Sequence, residues 1–344
     1  LILTNRFNLP APVMAWLSYD AYGPRQGDIS VTELIQPPQV LELGRLHDHE
    51  IVYDASDYSL IRRRVGQAVH NDLKRAALAA ENVLAEERLF MDVAGWRVTG
   101  QADLYEIIGI DQEGAVVDYK VTSVWSIVHG SRDREWAAQL NLYAELFRRH
   151  GFDVTSLAVI PFLPFDWKAD RAQKAAESPG DRYPPAPSFR YSLPLWSEEK
   201  AQSYLGSRVA LHQNARKHHR WPPCSPEERW YHGEEWKVYL PTKGGRPAKR
   251  ATAVFGAEAP RGGGGEDAIF FLNDNDDTGK GRVEHVPGVS RRCQGYCDAR
   301  PWCDQAKAIA KDEDWAHRAP EVEANTNEIT LEDAQKLLKS RRKR

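Results

Sequence analysis

Apolar residues recur every three to four positions between Asp57 and Glu87, at Leu60, Val65, Val69, Leu73, Ala76 and Leu84, with charges such as Arg62-Arg63-Arg64 between them. That spacing predicts an amphipathic helix. The rhythm then changes to alternation: Leu89 to Val93, a turn at Ala94-Gly95, and Trp96 to Tyr105 continued by Ile107 to Ile110. Asp111-Gln-Glu-Gly114 reads as a hairpin turn into Ala115-Val-Val-Asp-Tyr-Lys-Val121. These are three meandering strands. A second helix is expected from Arg134 to His150 and an apolar strand from Thr155 to Leu163. The order helix, three strands, helix, strand predicts an α/β domain with a mixed sheet.

Around this block the pattern is weaker. The first fifty residues are Pro-rich and aromatic, with one short helix start in ISVTELIQPPQVLEL, and are expected to cover the core. Asp170 to Pro187 reads as a polar loop, Ser197 to Lys217 as a helix, and the Gly- and Asp-rich stretch Ala257 to Gly281 as a loop. The tail Lys339-Ser-Arg-Arg-Lys-Arg344 is a solvated end or a phosphate-binding arm. We divide the chain into a covering segment 1–56, a core 57–220, a four-cysteine subdomain 221–310 and a polar tail 311–344.

Composition narrows the function classes. In 344 residues, 46 Lys+Arg nearly cancel 49 Asp+Glu, and 42% of residues are hydrophobic, so neither a disordered polyelectrolyte nor a histone-like basic coat fits. The most apolar stretch, Leu157 to Phe165, contains two prolines, far short of the ~20 residues a membrane helix needs. No membrane partner is expected. The visible start, Leu1-Ile-Leu-Thr-Asn, has no secretory pattern, and four cysteines are too few for a disulfide scaffold. A soluble, cytoplasmic protein is the expectation.

The chemistry concentrates in Gly100-Gln-Ala-Asp103 and Asp118-Tyr-Lys120. On a strand, Asp118 and Lys120 share one face, and the hairpin can bring Asp103 beside them. Two carboxylates on one surface repel unless a cation lies between them, and hard oxygen ligands suit Mg²⁺ or Mn²⁺. A lysine beside such a metal can offset charge building on a phosphate. The apolar lead-in Ala115-Val-Val marks a buried strand, where a lysine needs a reason. His70, on the preceding helix, can add an imidazole ligand. Gln139 and Tyr143, one turn apart on the following helix, can hydrogen-bond a phosphate or a catalytic side chain.

In order, Gly66-x-x-x-His70, Glu86, Gly100-x-x-Asp103, Asp118-x-Lys120 and Gln139-x-x-x-Tyr143 resemble the PD-(D/E)xK nuclease superfamily, nearest to its RecB-like and CRISPR-associated exonuclease branch. The resemblance covers about residues 57 to 165. It implies a restriction-endonuclease-like core, a mixed central β-sheet flanked by helices, and metal-dependent cleavage of DNA phosphodiesters. It further implies that His70, Asp103, Asp118 and the Tyr119 carbonyl hold the metal, that Lys120 is catalytic, and that Gln139 and Tyr143 support it. Glu86 would be a further acidic contact.

Cys293-x3-Cys297-x5-Cys303 is a tight trio, and Cys224 lies 69 residues before it. Thiolates so spaced converge on one soft metal or cluster. A lone cysteine with a compact C-terminal trio resembles the [4Fe–4S] staple of several RecB-like nucleases. Here the lone cysteine follows the nuclease motifs and the first trio gap is three, so Zn²⁺ remains the alternative. Basic clusters at Arg62-Arg63-Arg64, Lys74-Arg75, Arg148-Arg149, Arg216 to Arg220, Lys243 to Arg250 and the tail suit DNA phosphates. Eleven tryptophans and 13 tyrosines suit base stacking on a single strand. The expectation is a sequence-independent DNA exonuclease. The competing readings are a catalytically silent DNA-binding module and a zinc-stabilised adaptor. No Gly-x-x-x-x-Gly-Lys-[Ser/Thr] loop occurs, so a helicase or recombination partner would be a separate chain.

Overall fold

The structure is a computed structural model, and it describes residues 2–18, 26–108, 113–242, 246, 248–256 and 264–312. It is a mixed α/β protein that divides into two compact units between Trp221 and Pro222.

The first unit is built on a five-stranded sheet in the order Tyr191–Leu193, Asp153–Phe162, Glu113–Val121, Leu104–Ile107, Val83–Ala85. Glu113–Val121 and Asp153–Phe162 run parallel, and every other neighbour in this sheet is antiparallel. Parallel neighbours need a long crossover. The helix Asp133–Arg149 supplies it and packs back on both strands. Ala115, Val116 and Val117 are buried, as a continuous apolar run on a doubly covered strand should be. Gly114 starts that run because a Cβ there would lie 2.3 Å from the Glu106 carbonyl oxygen and 2.7 Å from the Tyr105 ring.

The hairpin of Arg88–Val93 and Trp96–Gln101 forms a second sheet with Ile29–Ser30. Its turn residues have positive φ, 48° at Ala94 and 81° at Gly95, the type I′ geometry that matches strand twist. The single strand expected from Trp96 to Ile110 is therefore two, broken at Ala102 and Asp103 and shared between sheets. The turn expected at 111–114 lies largely outside the described residues, although the two strands it would join do pair antiparallel.

Helix expectations need adjustment at their ends. The first helix is Tyr58–Ala77, started by Asp57, whose carboxylate accepts from the Ser59 and Leu60 amides. It stops short of Glu87, and Leu84 falls on an edge strand flanked by the positive-φ residues Asn82 and Glu86. Glu198–His218 matches its expected span closely. The loop expected at Asp170–Pro187 contains the helix Ala169–Ala176, whose small Ala172 and Ala175 are buried and carry no strong apolar signal. The N-terminal stretch does more than cover. Ser30 and Glu33 form a reciprocal capping box on Val31–Leu34, Pro38–Leu46 follows as a second helix, and Ile29, Val31, Leu34 and Leu41 belong to the main core.

The second unit carries the antiparallel sheet Ala253–Gly256, Glu235–Tyr239, Arg282–Val286, with helix Gly264–Asn275 packed on it. Part of the expected Gly-rich loop is thus helical. Its glycines serve close packing: a Cβ on Gly264 would lie 2.4 Å from the Trp236 ring. The short helices Arg291–Gly295 and Asp304–Asp312 follow the sheet in sequence. Among the described residues no helix is long and apolar enough to cross a membrane.

Candidate functional site

Asp103 occupies the break between the two sheets. Leu104–Ile107 begins opposite Val117, so the Tyr119 N–H has no ladder partner on that side. Asp103 takes it: Oδ2 accepts from the Tyr119 amide at 2.6 Å, and Oδ1 lies 2.9 Å from His70 Nδ1. His70 and Lys74 stand one turn apart on the helix Tyr58–Ala77, and Lys74 Nζ lies 2.9 Å from Glu86 Oε2. Glu86, at φ 50°, donates its amide to the Asp103 carbonyl at 3.1 Å and accepts from Gln101 Nε2 at 3.2 Å. One ligand atom each from His70, Glu86 and Asp103 falls within 4.8 Å of the others. Two oxygens and an imidazole nitrogen, all partly exposed, are a donor set for a hard divalent cation.

The other face of the strand carries a second group. Tyr119 sends its ring toward His70, edge to face at 6.2 Å, while Asp118 and Lys120 point the opposite way. Lys120 Nζ sits 2.5 Å from Asp118 Oδ2 and donates to Gln139 Oε1 at 3.1 Å. Gln139 Nε2 lies 3.3 Å from the Tyr143 hydroxyl and 3.4 Å from Thr32 Oγ1. The helix bearing Gln139 and Tyr143 is buried all round from Trp136 to Phe147, and its polar members are bonded. Asn141 donates to the Ala137 and Pro194 carbonyls and accepts from the Trp196 amide, and Glu145 pairs with Arg149. Gly100 permits this packing, since a Cβ there would meet the Leu146 side chain at 2.3 Å and the Tyr143 ring at 2.9 Å.

Electrostatics couple the groups. Burial pushes the Asp118 carboxyl up against the pull of Lys120, and the charge of Asp103 adds to the rise. Burial alone would lower Lys120, but the charges of Asp118 and Asp103 outweigh it and raise it. Burial likewise lowers His70, and its hydrogen bond to Asp103 together with the Asp103 and Asp118 charges carries it above its usual value. Burial and the charge of Asp118 push Tyr143 up to about 12, so its hydroxyl keeps its proton. Asp118 Oδ2 is buried without a well-angled hydrogen bond. Each of the three carboxylates has a basic partner: Glu86 has Lys74, Asp103 has His70 and Asp118 has Lys120.

Neither the family models searched nor the curated proteins contain a match to this chain. Among solved structures, the crystal structure of SSO0001 is similar, with a TM-score of 0.39 and 15% identity over 63% of this chain and 87% of that one. A likeness this distant carries no argument about function.

Against the expected metal set, His70 and Asp103 come together, Asp118 turns to Lys120, and Tyr119 enters through its N–H. Glu86, a secondary contact in the sequence reading, joins the ligand group. Thr32, Lys74 and Gln101 were not legible as site residues. Thr32 arrives from a distant helix, and the partner of Lys74 depends on the left-handed turn at Glu86. Several of the basic residues read as phosphate contacts are engaged in the fold: Arg64 with the Leu17 carbonyl, Arg75 with Asp72, Arg149 with Glu145, Arg216 with Glu42. The C-terminal tail and Lys243 lie outside the described residues.

The four cysteines, all in the second unit, carry no disulfide, and the charges of Cys297 and Cys303 reach both Cys224 and Cys293. Gln305 holds the Cys224 peptide from both sides, accepting from its N–H at 2.8 Å and donating to its carbonyl at 2.9 Å. Cys303 Sγ accepts from the Ala306 amide at 3.3 Å. Burial first, then Glu228 and the Cys297 and Cys303 thiolates, push Cys224 up to about 12. Burial, with Cys297 and Cys303, pushes Cys293 up to about 11.

Proposed function

We propose that this protein is a divalent-metal-dependent DNA nuclease of the PD-(D/E)xK kind, a sequence-independent exonuclease that hydrolyses phosphodiester bonds with activated water. The observation that carries the reading is the convergence of His70, Glu86 and Asp103 on one point beside the Asp118–Lys120 pair. In this reading His70, Glu86 and Asp103 hold Mg²⁺ or Mn²⁺, with Asp118 close behind. The bound ion supplies Lewis acidity and a water of lowered pKa. Lys120, 24% exposed while Asp118 is 4% exposed, reaches a phosphate and offsets its growing charge. Gln139, fixed by Tyr143 and Thr32, aims the ammonium. The Tyr119 amide fixes one oxygen of Asp103 and His70 the other, which would hold the carboxylate in place for an ion. We assign the four cysteines to a [4Fe–4S] cluster, with Zn²⁺ as the alternative, which would join Cys224 to the C-terminal trio and stabilise the second unit. A helicase or recombination partner would act from another chain.

The test is cleavage of linear and circular DNA with Mg²⁺, with Mn²⁺ and with chelator, alongside Mn²⁺ binding by calorimetry. Metal-dependent cleavage of linear DNA, lost in Asp103→Asn and Glu86→Gln together with Mn²⁺ binding, is expected. Mn²⁺ binding without cleavage of any DNA would leave a silent binding module. Analysis for iron, sulfide and zinc identifies what the thiols hold.

A further inference from the structure

We infer that the exposed rings of Trp125 and Phe165 form a platform on which the unpaired bases of a single DNA strand stack as that strand runs to the metal-ligand cluster. The inference rests on the nuclease reading for its direction and on separate residues for its substance.

The parallel strands Glu113–Val121 and Asp153–Phe162 end at the same edge of the sheet, where the Thr122 amide donates to the Phe162 carbonyl at 3.0 Å. Ligands of sheets with parallel strands gather at the carboxyl ends of those strands. Two short segments leave this edge and are tied together at once. Ser123 starts the helix Val124–Val128, its hydroxyl accepting from the Trp125 amide at 3.2 Å and donating to Asp166. The other oxygen of Asp166 accepts from the Val124 amide at 2.9 Å. The second segment is fixed further by the Leu163 amide on the Pro187 carbonyl at 2.9 Å and the Trp167 indole on the Pro184 carbonyl at 3.0 Å.

Val124, Ile127 and Leu163 anchor this crest, at 1%, 3% and 2% exposure, while Trp125 and Phe165 stand out at 55% and 65%. Single exposed apolar residues are ordinary. Here two aromatics flank one hydrogen-bonded junction, and Trp125 follows Lys120 by five residues, at most about 17 Å of chain. The Trp125 indole already carries a flat partner: His129, one turn on, stacks on it at 5.7 Å and 19°. Exposed Arg134 and Lys168 follow His129 and Phe165 in sequence and offer two cations for phosphates among the acidic Asp133, Glu135 and Asp170. Flat rings mounted on a hydrogen-bonded junction fit bases that have left a duplex. A paired interior base hides both of its faces, so the platform favours single-stranded DNA.

The test uses the full chain without divalent metal, so that binding is read apart from cleavage. A fluorescent oligo-dT and a blunt duplex of equal length are titrated by anisotropy, followed by steady-state cleavage of the dT substrate with Mn²⁺. Trp125→Ala is expected to weaken oligo-dT binding by roughly 5- to 100-fold, Trp125→Phe to restore most of it, and duplex affinity to change little. Where cleavage occurs, the loss falls on KM rather than kcat. Wild-type affinity for oligo-dT in Trp125→Ala/Phe165→Ala would overturn the platform while leaving metal-dependent cleavage, and hence the nuclease reading, intact. Trp125-dependent dT binding in a protein that cleaves nothing would uphold the platform and sink the nuclease.

Discussion

Acid should loosen the support of the site through one buried histidine. His212, on Glu198–His218, is fully buried, and its Nε2 lies 3.1 Å from the Leu34 carbonyl. Arg208, one turn earlier, donates to the Leu34 and Gln36 carbonyls. Together they hold the turn that presents Thr32 to Gln139. His212 Nδ1 is buried without a hydrogen-bond partner, so the ring belongs in its neutral form with Nε2–H donating to Leu34. Burial, then the charge of Arg208, lowers its pKa from 6.5 to about 4. Between these values the unfolded chain binds a proton that the folded chain refuses, so stability falls as pH falls through that window. The shift implies about 2 kcal/mol lost between about pH 7 and about pH 5, and about 3 kcal/mol in full below the folded value. Urea unfolding of wild type and His212→Gln at both pH values isolates this contribution, because other titrating groups are common to the two. The variant should lose about 2 kcal/mol less than wild type on acidification. Equal losses would refute the reasoning.

Other expectations concern the site itself. Lys120→Ala should abolish cleavage and also destabilise the metal-free protein by about 3 kcal/mol near neutral pH, because a buried carboxylate loses its cation. Since the Asp118 pKa is raised, the cost should shrink as acid protonates it, and a cost independent of pH by urea unfolding would count against the pairing. Lys74→Ala removes a half-exposed ion pair of about 0.5–1 kcal/mol, so calorimetry should find Mn²⁺ bound about two- to fivefold tighter; weaker binding would show that Lys74 builds the site rather than competing for Glu86. Gly100→Ala should cost about 1–3 kcal/mol in thermal or urea unfolding and lower kcat through Tyr143, with Mn²⁺ affinity near wild type.

The β-segments around Asp118 were legible because burial on both faces leaves an unbroken apolar run, Ala115-Val-Val, and because turn chemistry at Ala94-Gly95 is local. The break at Asp103 was not: the alternation slips by one place at Leu104-Tyr105, a slip that a bulge in one strand would also give, and the break exists because two sheets compete for one stretch of chain. The pairing of Asp118 with Lys120 could be read from strand period, and the approach of Asp103 to them from the hairpin. The entry of Glu86 beside His70 and Asp103 could not, because it depends on the left-handed turn at Glu86. The buried alanines of Ala169–Ala176 and the glycines beside Trp236 gave signals of loop composition for positions selected by close packing.

The helix from Asp133 to Arg149 is buried all round between Trp136 and Phe147, and this bears on how the Lys120 ammonium would behave in the proposed reaction. A rod gripped around its whole circumference has nowhere to slide or roll. The amide of Gln139 is therefore a fixed post, and Lys120 is moored to it before any substrate arrives. Little rearrangement would then be needed as charge moves onto a phosphate, and the alignment would have been set when the chain folded.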